Sequence, residues 1–203
     1  ETNKGKIECE YIVLASGMWS RQIAADVNVS VPLYPVEHFY ILTEAVDNLD
    51  KALPVLRDYN HCLYIKEDAG KFLVGIFEPN AKPAFTNTNK VPTDFSFSEL
   101  PEDFDHFEPY LMHAIKRIPD LETVGIRKFF NGPESFTPDT NYLLGETPEV
   151  KKFFVCCGFN SIGLVSAGGA GKVTAEWIMN DGISEDLFSL DISRFEKFHS
   201  ETK

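Results

Sequence analysis

The run Phe153-Phe154-Val155-Cys156-Cys157-Gly158-Phe159-Asn160-Ser161-Ile162-Gly163, continuing into residues 167–179, decides how this chain is read. Five apolar residues bounded by glycine form a strand, the loop turns, and the segment after it reads as a helix. Such a junction has a definite physical use. Backbone N–H groups at a helix start, with the positive end of the helix dipole, stabilise an anion or an electron-rich ring oxygen. The residues exclude a phosphate-binding P-loop: Ser166 stands five before Gly171 where Gly belongs, and Val173 follows Lys172 where Ser or Thr belongs. Gly169-Ala170-Gly171 lies inside the expected helix, so it is not a dinucleotide fingerprint either. Two readings stay open: contact with a flat cofactor, or close helix–sheet packing through Gly168, Gly169 and Gly171.

Working outward, strands are expected at 123–130, 142–144 and 152–157, linked by turns at Asn131-Gly132-Pro133-Glu134 and Thr137-Pro138-Asp139. Phe104, Phe107, Leu111, Ala114, Ile115 and Ile118 recur at steps of three and four, which predicts an amphipathic helix over 102–117, kinked or begun at Pro109 and stopped by Pro119. Residues 80–99 read as an exposed loop. A hairpin is expected from 62–66 and 71–78 around Glu67-Asp68-Ala69-Gly70. Over 31–44 the period of two puts Tyr34, Val36, His38, Tyr40 and Leu42 on one strand face. The chain opens with two short strands, 7–10 and 11–15, the second ending in Ala15-Ser16-Gly17, and then a short helix over 19–27. The fold class is α/β (α+β), with a mostly antiparallel sheet and helices.

Composition narrows the function. Nineteen Lys and Arg against 31 Asp and Glu leave a formal charge of −12. That balance argues against nucleic acid, which is bound by placing cations against phosphates. No window nears the roughly 20 apolar residues of a membrane span, so no membrane partner is expected. Residues 1–6 are polar and read as no targeting signal. Cys9, Cys62, Cys156 and Cys157 lack CxxC spacing, and the five His form no HExxH or HxH cluster, so no metal is expected and the compartment is read as reducing. His38 is either a satisfied core histidine or a neutral imidazole set beside a substrate amine. Tyr64 is packing, or a hydroxyl that pairs with His38 if the two strands are neighbours. Trp19 is core, or a wall against a ring system.

Several signatures occur in order: Ala15-Ser16-Gly17-Met18-Trp19-Ser20, Tyr34-Pro35-Val36-Glu37-His38-Phe39-Tyr40, Asn131-Gly132-Pro133-Glu134-Ser135-Phe136-Thr137-Pro138-Asp139, and the Gly158–Gly163 loop with Ala167-Gly168-Gly169-Ala170-Gly171-Lys172. The chain resembles the D-amino-acid-oxidase-like flavoproteins, and within them the sarcosine and dimethylglycine dehydrogenases and the related regulatory subunit of pyruvate dehydrogenase phosphatase. The resemblance implies FAD as cofactor and a small amino-acid-like N-methyl amine as substrate, oxidised by hydride transfer to flavin. It implies His38 and Tyr64 as catalytic residues, and Gly17, Trp19, Pro133, Gly158, Phe159, Asn160, Ser161, Ile162 and Gly163 as flavin-side residues. It implies 1–30 as a remnant of a Rossmann-type FAD domain, 31–127 as the substrate-binding domain and 128–203 as the return to the FAD domain. The family's GxGxxG strand is not found here, so the chain is expected to be the C-terminal half of the oxidoreductase unit, partnered by a missing N-terminal FAD-binding segment. The apolar face left by that segment would favour a homo-oligomer. The implied location is cytoplasmic, or the mitochondrial matrix in a eukaryote. The alternatives are a non-catalytic regulatory subunit and an isolated binding domain without flavin.

Overall fold

A computed structural model describes residues 2–183 and 185–200. Along the chain come β1 (Ile12–Leu14), a 3-10 turn at Gly17–Trp19, α1 (Ser20–Ala25), β2 (Tyr34–Thr43), β3 (Leu56–Asp58), β4 (Leu63–Glu67), β5 (Phe72–Ile76), α2 (Phe104–Arg117), β6 (Ile126–Phe136), β7 (Leu143–Glu146), β8 (Phe153–Cys157) and α3 (Gly163–Asn180). The fold is mixed α/β with antiparallel pairing predominant. It divides into two compact units, one of Glu1–Pro35, Phe85–Asp94 and Glu134–Lys203, the other of Val36–Ala84 and Phe95–Pro133. No described helix is long and apolar enough to cross a membrane.

In the first unit β1, β8 and β7 form a three-stranded sheet in that order, β1 parallel and β7 antiparallel to β8. Its core gathers Leu14, Ala24, Val31, Leu33, Leu143, Val155 and Cys157. Helix α3 lays Ala170 and Thr174 inward. Thr174 can sit inside because its hydroxyl donates back to the Ala170 carbonyl at 2.8 Å. Burial pushes the Cys157 thiol up to about 12, so it behaves as a packing residue.

In the second unit five strands run β3-β4-β5-β2-β6. Alternation decides the core: Phe39 and Ile41 of β2, Leu63 and Ile65 of β4, Phe72, Val74 and Ile76 of β5 and Phe129 of β6 are buried together with Phe107 and Ala114 of α2. Each fully buried side chain of this kind contributes roughly 1.5–3 kcal/mol. Helix α2 starts at Phe104, capped by the Asp103 carboxylate, which accepts from the His106 amide, and it runs through Pro109 to Arg117.

Three expectations change. Residues 7–10 form no strand, and the segment is exposed throughout. Pro109 is not where the helix begins, because the Asp103 cap starts it five residues earlier. The expected turn at Asn131-Gly132-Pro133-Glu134 is strand instead, within β6. Asn131 explains part of this: its amide nitrogen donates to Glu37 and to the Pro101 carbonyl, both at 2.7 Å, and its own carbonyl accepts from the Leu100 amide at 2.8 Å. The Leu100 bond engages the Asn131 backbone, the other two fix its side chain, and β6 runs extended beside β2 in the sheet, so tertiary pairing overrides the local turn propensity.

At the outer end of β3 the buried Asp58 carboxylate accepts from His61 Nδ1 at 2.9 Å and from Arg117 Nε at 2.7 Å. The His61 hydrogen bond, and then Arg117, outweigh the cost of burial and hold this carboxyl down at about 2. A carboxyl depressed in the folded state stabilises above its unfolded pKa, near 4, and loses that contribution as pH falls toward the folded value. Chemical denaturation of wild type should therefore weaken between about pH 4 and about pH 2 by more than that of Asp58→Asn. Equal slopes in the two proteins would remove Asp58 from the acid response.

Candidate active site

His38 lies on β2 with its neighbours Phe39 and Ile41 turned into the core, so its own side chain occupies the face of the sheet opposite that core. Its Nε2 is 3.0 Å from the Tyr64 hydroxyl, and the two rings are parallel at 5.9 Å between centroids. Phe77 packs on both, at 4.7 Å from His38 and 5.4 Å from Tyr64. The pair is made although the strands are not neighbours, because β5 lies between β4 and β2.

What lets Tyr64 reach across is Gly75. In register, Gly75 of β5 stands opposite Tyr64 of β4 on one side and Tyr40 of β2 on the other. A Cβ at Gly75 would collide with the far end of the Tyr64 ring, so the ring crosses the strand where a side chain is missing. Glycine inside a strand is a sequence signal for such close approach, and Gly75 is the site residue that the reading of strands and aromatics passed over.

The flavin-side candidates of the first unit lie on two loops. Parallel pairing matches Leu14 with Val155, so the chain leaves β1 toward Gly17 and β8 toward Gly158 at the same end of the sheet. In open α/β sheets, ligands bind outside the carboxyl ends of parallel strands. Trp19 is half-buried, with its indole N–H donated to the Pro92 carbonyl at 2.9 Å, and Gly17 is exposed. Gly158 has φ +68, and a Cβ there would stand 2.6 Å from Leu33 and 2.9 Å from Thr137, so conformation and space both demand glycine.

The side chains of the loop are mostly spoken for. Asn160 accepts from the Thr137 amide at 2.9 Å and donates to the Gly158 carbonyl at 2.6 Å. Phe159 stacks on Tyr142 at 4.8 Å, and the Ser161 hydroxyl donates to the Glu134 carboxylate. Ile162, at the N-cap of α3, has no side chain to cap the helix, and the first turn holds no acidic residue. The loop therefore offers backbone N–H groups to a ligand. Beyond it, Leu164 and Val165 are exposed, and nothing lies within 4 Å of a Cβ placed on Gly168, Gly169 or Gly171. These three glycines therefore make no close contact with the sheet, and the residues that α3 buries are Ala170 and Thr174. Pro133 sits on β6 and belongs to the second unit, as do His38 and Tyr64.

Gly75→Ala should destabilise the second unit by about 1–3 kcal/mol, because the new methyl must displace the Tyr64 ring. Tyr64→Phe, which keeps the ring and deletes the hydroxyl, should cost about 1 kcal/mol. Urea midpoints of both variants check this, and equal stability of Gly75→Ala and wild type would show that the ring has another place to go.

A family model described as FAD dependent oxidoreductase, DAO, matches residues 1–177. The chain is 39% identical, over 96% of its length and 23% of the relative's, to 4-methylaminobutanoate oxidase (formaldehyde-forming) of Paenarthrobacter nicotinovorans. It is 42% identical, over 96% of its length and 22% of the relative's, to the mitochondrial pyruvate dehydrogenase phosphatase regulatory subunit of Mus musculus. Mitochondrial sarcosine dehydrogenase of Mus musculus is 37% identical over 96% of this chain and 21% of that protein. The chain thus spans between a fifth and a quarter of the length of these relatives. L-proline dehydrogenase from P. horikoshii has the same fold, with a TM-score of 0.79 at 22% identity, over 96% of this chain and 49% of that one. Matched over most of its length by the family model and closely similar to its members, this chain belongs to the DAO family of FAD-dependent oxidoreductases.

Proposed function

We propose that this chain is the substrate-binding and flavin-ring side of an amine oxidoreductase that demethylates a small N-methyl amino acid of the sarcosine, dimethylglycine or 4-methylaminobutanoate kind. The observation that carries the reading is the His38–Tyr64 hydrogen bond at 3.0 Å, built on the sheet face opposite the core, across Gly75. A histidine kept for packing has no need of a tyrosine that crosses an intervening strand to meet it.

The residues of the first unit suit the flavin ring. The uncapped N–H groups at the start of α3 and the loop held open by Gly158 and Asn160 are donors for electron-rich ring oxygens. When bound, FAD supplies a hydride acceptor for the methyl carbon. His38, its ring fixed by Tyr64 and packed on Phe77, keeps the substrate nitrogen unprotonated and aligned, since only a nitrogen with a free lone pair supports loss of hydride. The iminium left behind is hydrolysed to the demethylated amine and formaldehyde or passed on. In this reading the grip on the ADP end of FAD comes from a segment outside the 203 residues.

A second reading follows from the 42% identity to the phosphatase regulatory subunit, in which the fold binds a partner without turning over an amine. Anaerobic reduction of the flavin in the full-length protein separates the two. Sarcosine, dimethylglycine or 4-methylaminobutanoate should bleach the flavin, and His38→Asn should slow that step about 10²–10⁴-fold. A flavin that none of these amines reduces would favour the regulatory reading, and an unchanged rate in His38→Asn would remove the role given to His38.

A further inference from the structure

The first unit holds a cavity of about 310 Å³ that the amine chemistry does not use. Its walls are α1, residues 29–35 and the loop 88–91, with Ser200 beside them. These walls are fastened to one another. The Gln22 side chain accepts from the Val91 amide and donates to the Val91 carbonyl, both at 3.0 Å. Ser30 and Ser200 share a hydroxyl bond at 2.6 Å, and the Trp19 indole donates to the Pro92 carbonyl. The cavity is therefore built before any ligand arrives, which lowers the cost of binding one.

Met18, Val29, Leu33, Pro35 and Val91 give it an apolar lining, and the charged residues in that lining are Arg21 and Lys90. Among the described residues no carboxylate lines it; Glu149, which accepts from the Ser30 amide at 3.0 Å, stands outside. A hollow lined by cations is a local reversal in a chain with 31 Asp and Glu against 19 Lys and Arg. Arg21 is held by neutral groups: Nη2 donates to the Ser200 carbonyl at 2.7 Å, Nη1 reaches the Leu33 carbonyl at 3.5 Å, and the guanidinium lies 4.8 Å from the Tyr34 centroid. Such contacts orient the fork without neutralising it. Neither Arg21 nor Lys90 has a carboxylate within ion-pairing distance among the described residues.

We propose that this cavity is a second binding site, for a small carboxylate with a short apolar tail. The head takes the remaining N–H donors of Arg21 and the ammonium of Lys90, and the tail covers the apolar lining. A bare phosphate would meet the cations and leave that lining wet. The size agrees, since ligand cavities begin at roughly 300 Å³.

Hexanoate is the probe, and calorimetry on the full-length protein reads its binding without turnover, so the result stands whether or not an amine is oxidised. Wild type should bind hexanoate more tightly than acetate, which has no tail, and should not bind hexylamine. Arg21→Gln should weaken hexanoate about tenfold or more, with part of the loss recovered in Arg21→Lys. Lys90→Gln, at an exposed position, should weaken it roughly threefold. Ala25→Phe fills the cavity from an exposed position of α1, keeps every hydrogen bond of Arg21, and should abolish binding. Lys116→Gln removes the same charge from α2 of the second unit and should match wild type. No hexanoate binding by wild type, or equal affinity in wild type and Ala25→Phe, overturns the site. Inorganic phosphate or hexylamine bound as tightly as hexanoate overturns the class of ligand.

Discussion

An antiparallel sheet has two faces and a helix can cover only one of them, and the second unit is organised by that constraint. Helix α2 takes the face of Phe39, Ile41, Ile65, Val74 and Phe129 and closes the core there. The opposite face lies outside that core, and polar side chains can stand on it where they find partners, as buried His38 does with Tyr64. It is on this face that His38, Tyr64, Tyr40, Phe77 and Arg57 are found. A shift of register by one residue in β2 would send His38 into the core and Phe39 out of it, so the burial that stabilises the unit also fixes where its ionisable groups stand.

Within that face the spacing is set by an absence. Tyr64 and His38 belong to strands separated by β5, and any side chain at position 75 would keep them apart. Glycine weakens a strand interior, and here the loss is offset by an aromatic ring that packs over the gap and ends in a hydrogen bond. The same transverse row reaches Arg57 on β3. At the outer end of that strand the carboxylate of Asp58 is held by His61 and Arg117.

The first unit uses backbone where the second uses side chains. Its parallel strands β1 and β8 deliver two loops at one end of the sheet, and the loop after β8 spends its polar side chains on itself: Asn160 on Thr137 and Gly158, Ser161 on Glu134. Those bonds hold Asn160 and Ser161 at φ values of 48° and 67°, a conformation with a real cost outside glycine. What remains for a ligand is the row of amides at the start of α3, a polar surface that no substitution of a side chain removes.

The sequence by itself determined the elements whose signals are local. The strand-loop-helix run at 153–163, the hairpin around Asp68-Ala69-Gly70, the three-four spacing of α2 and the two-residue period that puts His38 with Tyr40 are properties of neighbouring residues, and each is found in the structure. So were the family signatures, which carried FAD and the amine chemistry as implications. Other features depend on partners distant in sequence. Asn131 to Glu134 is extended as part of β6, which lies beside β2 and has the Leu100 amide bonded to the Asn131 carbonyl, where dipeptide propensity alone would turn the chain. Residues 7–10 find no strand to pair with and stay irregular. That Tyr64 meets His38 over an intervening strand, and that Arg57 joins the same row, follows from a strand order of β3-β4-β5-β2-β6. Strand order is the sum of many weak packing preferences and not the property of any one segment, which is why only the tertiary structure could decide it.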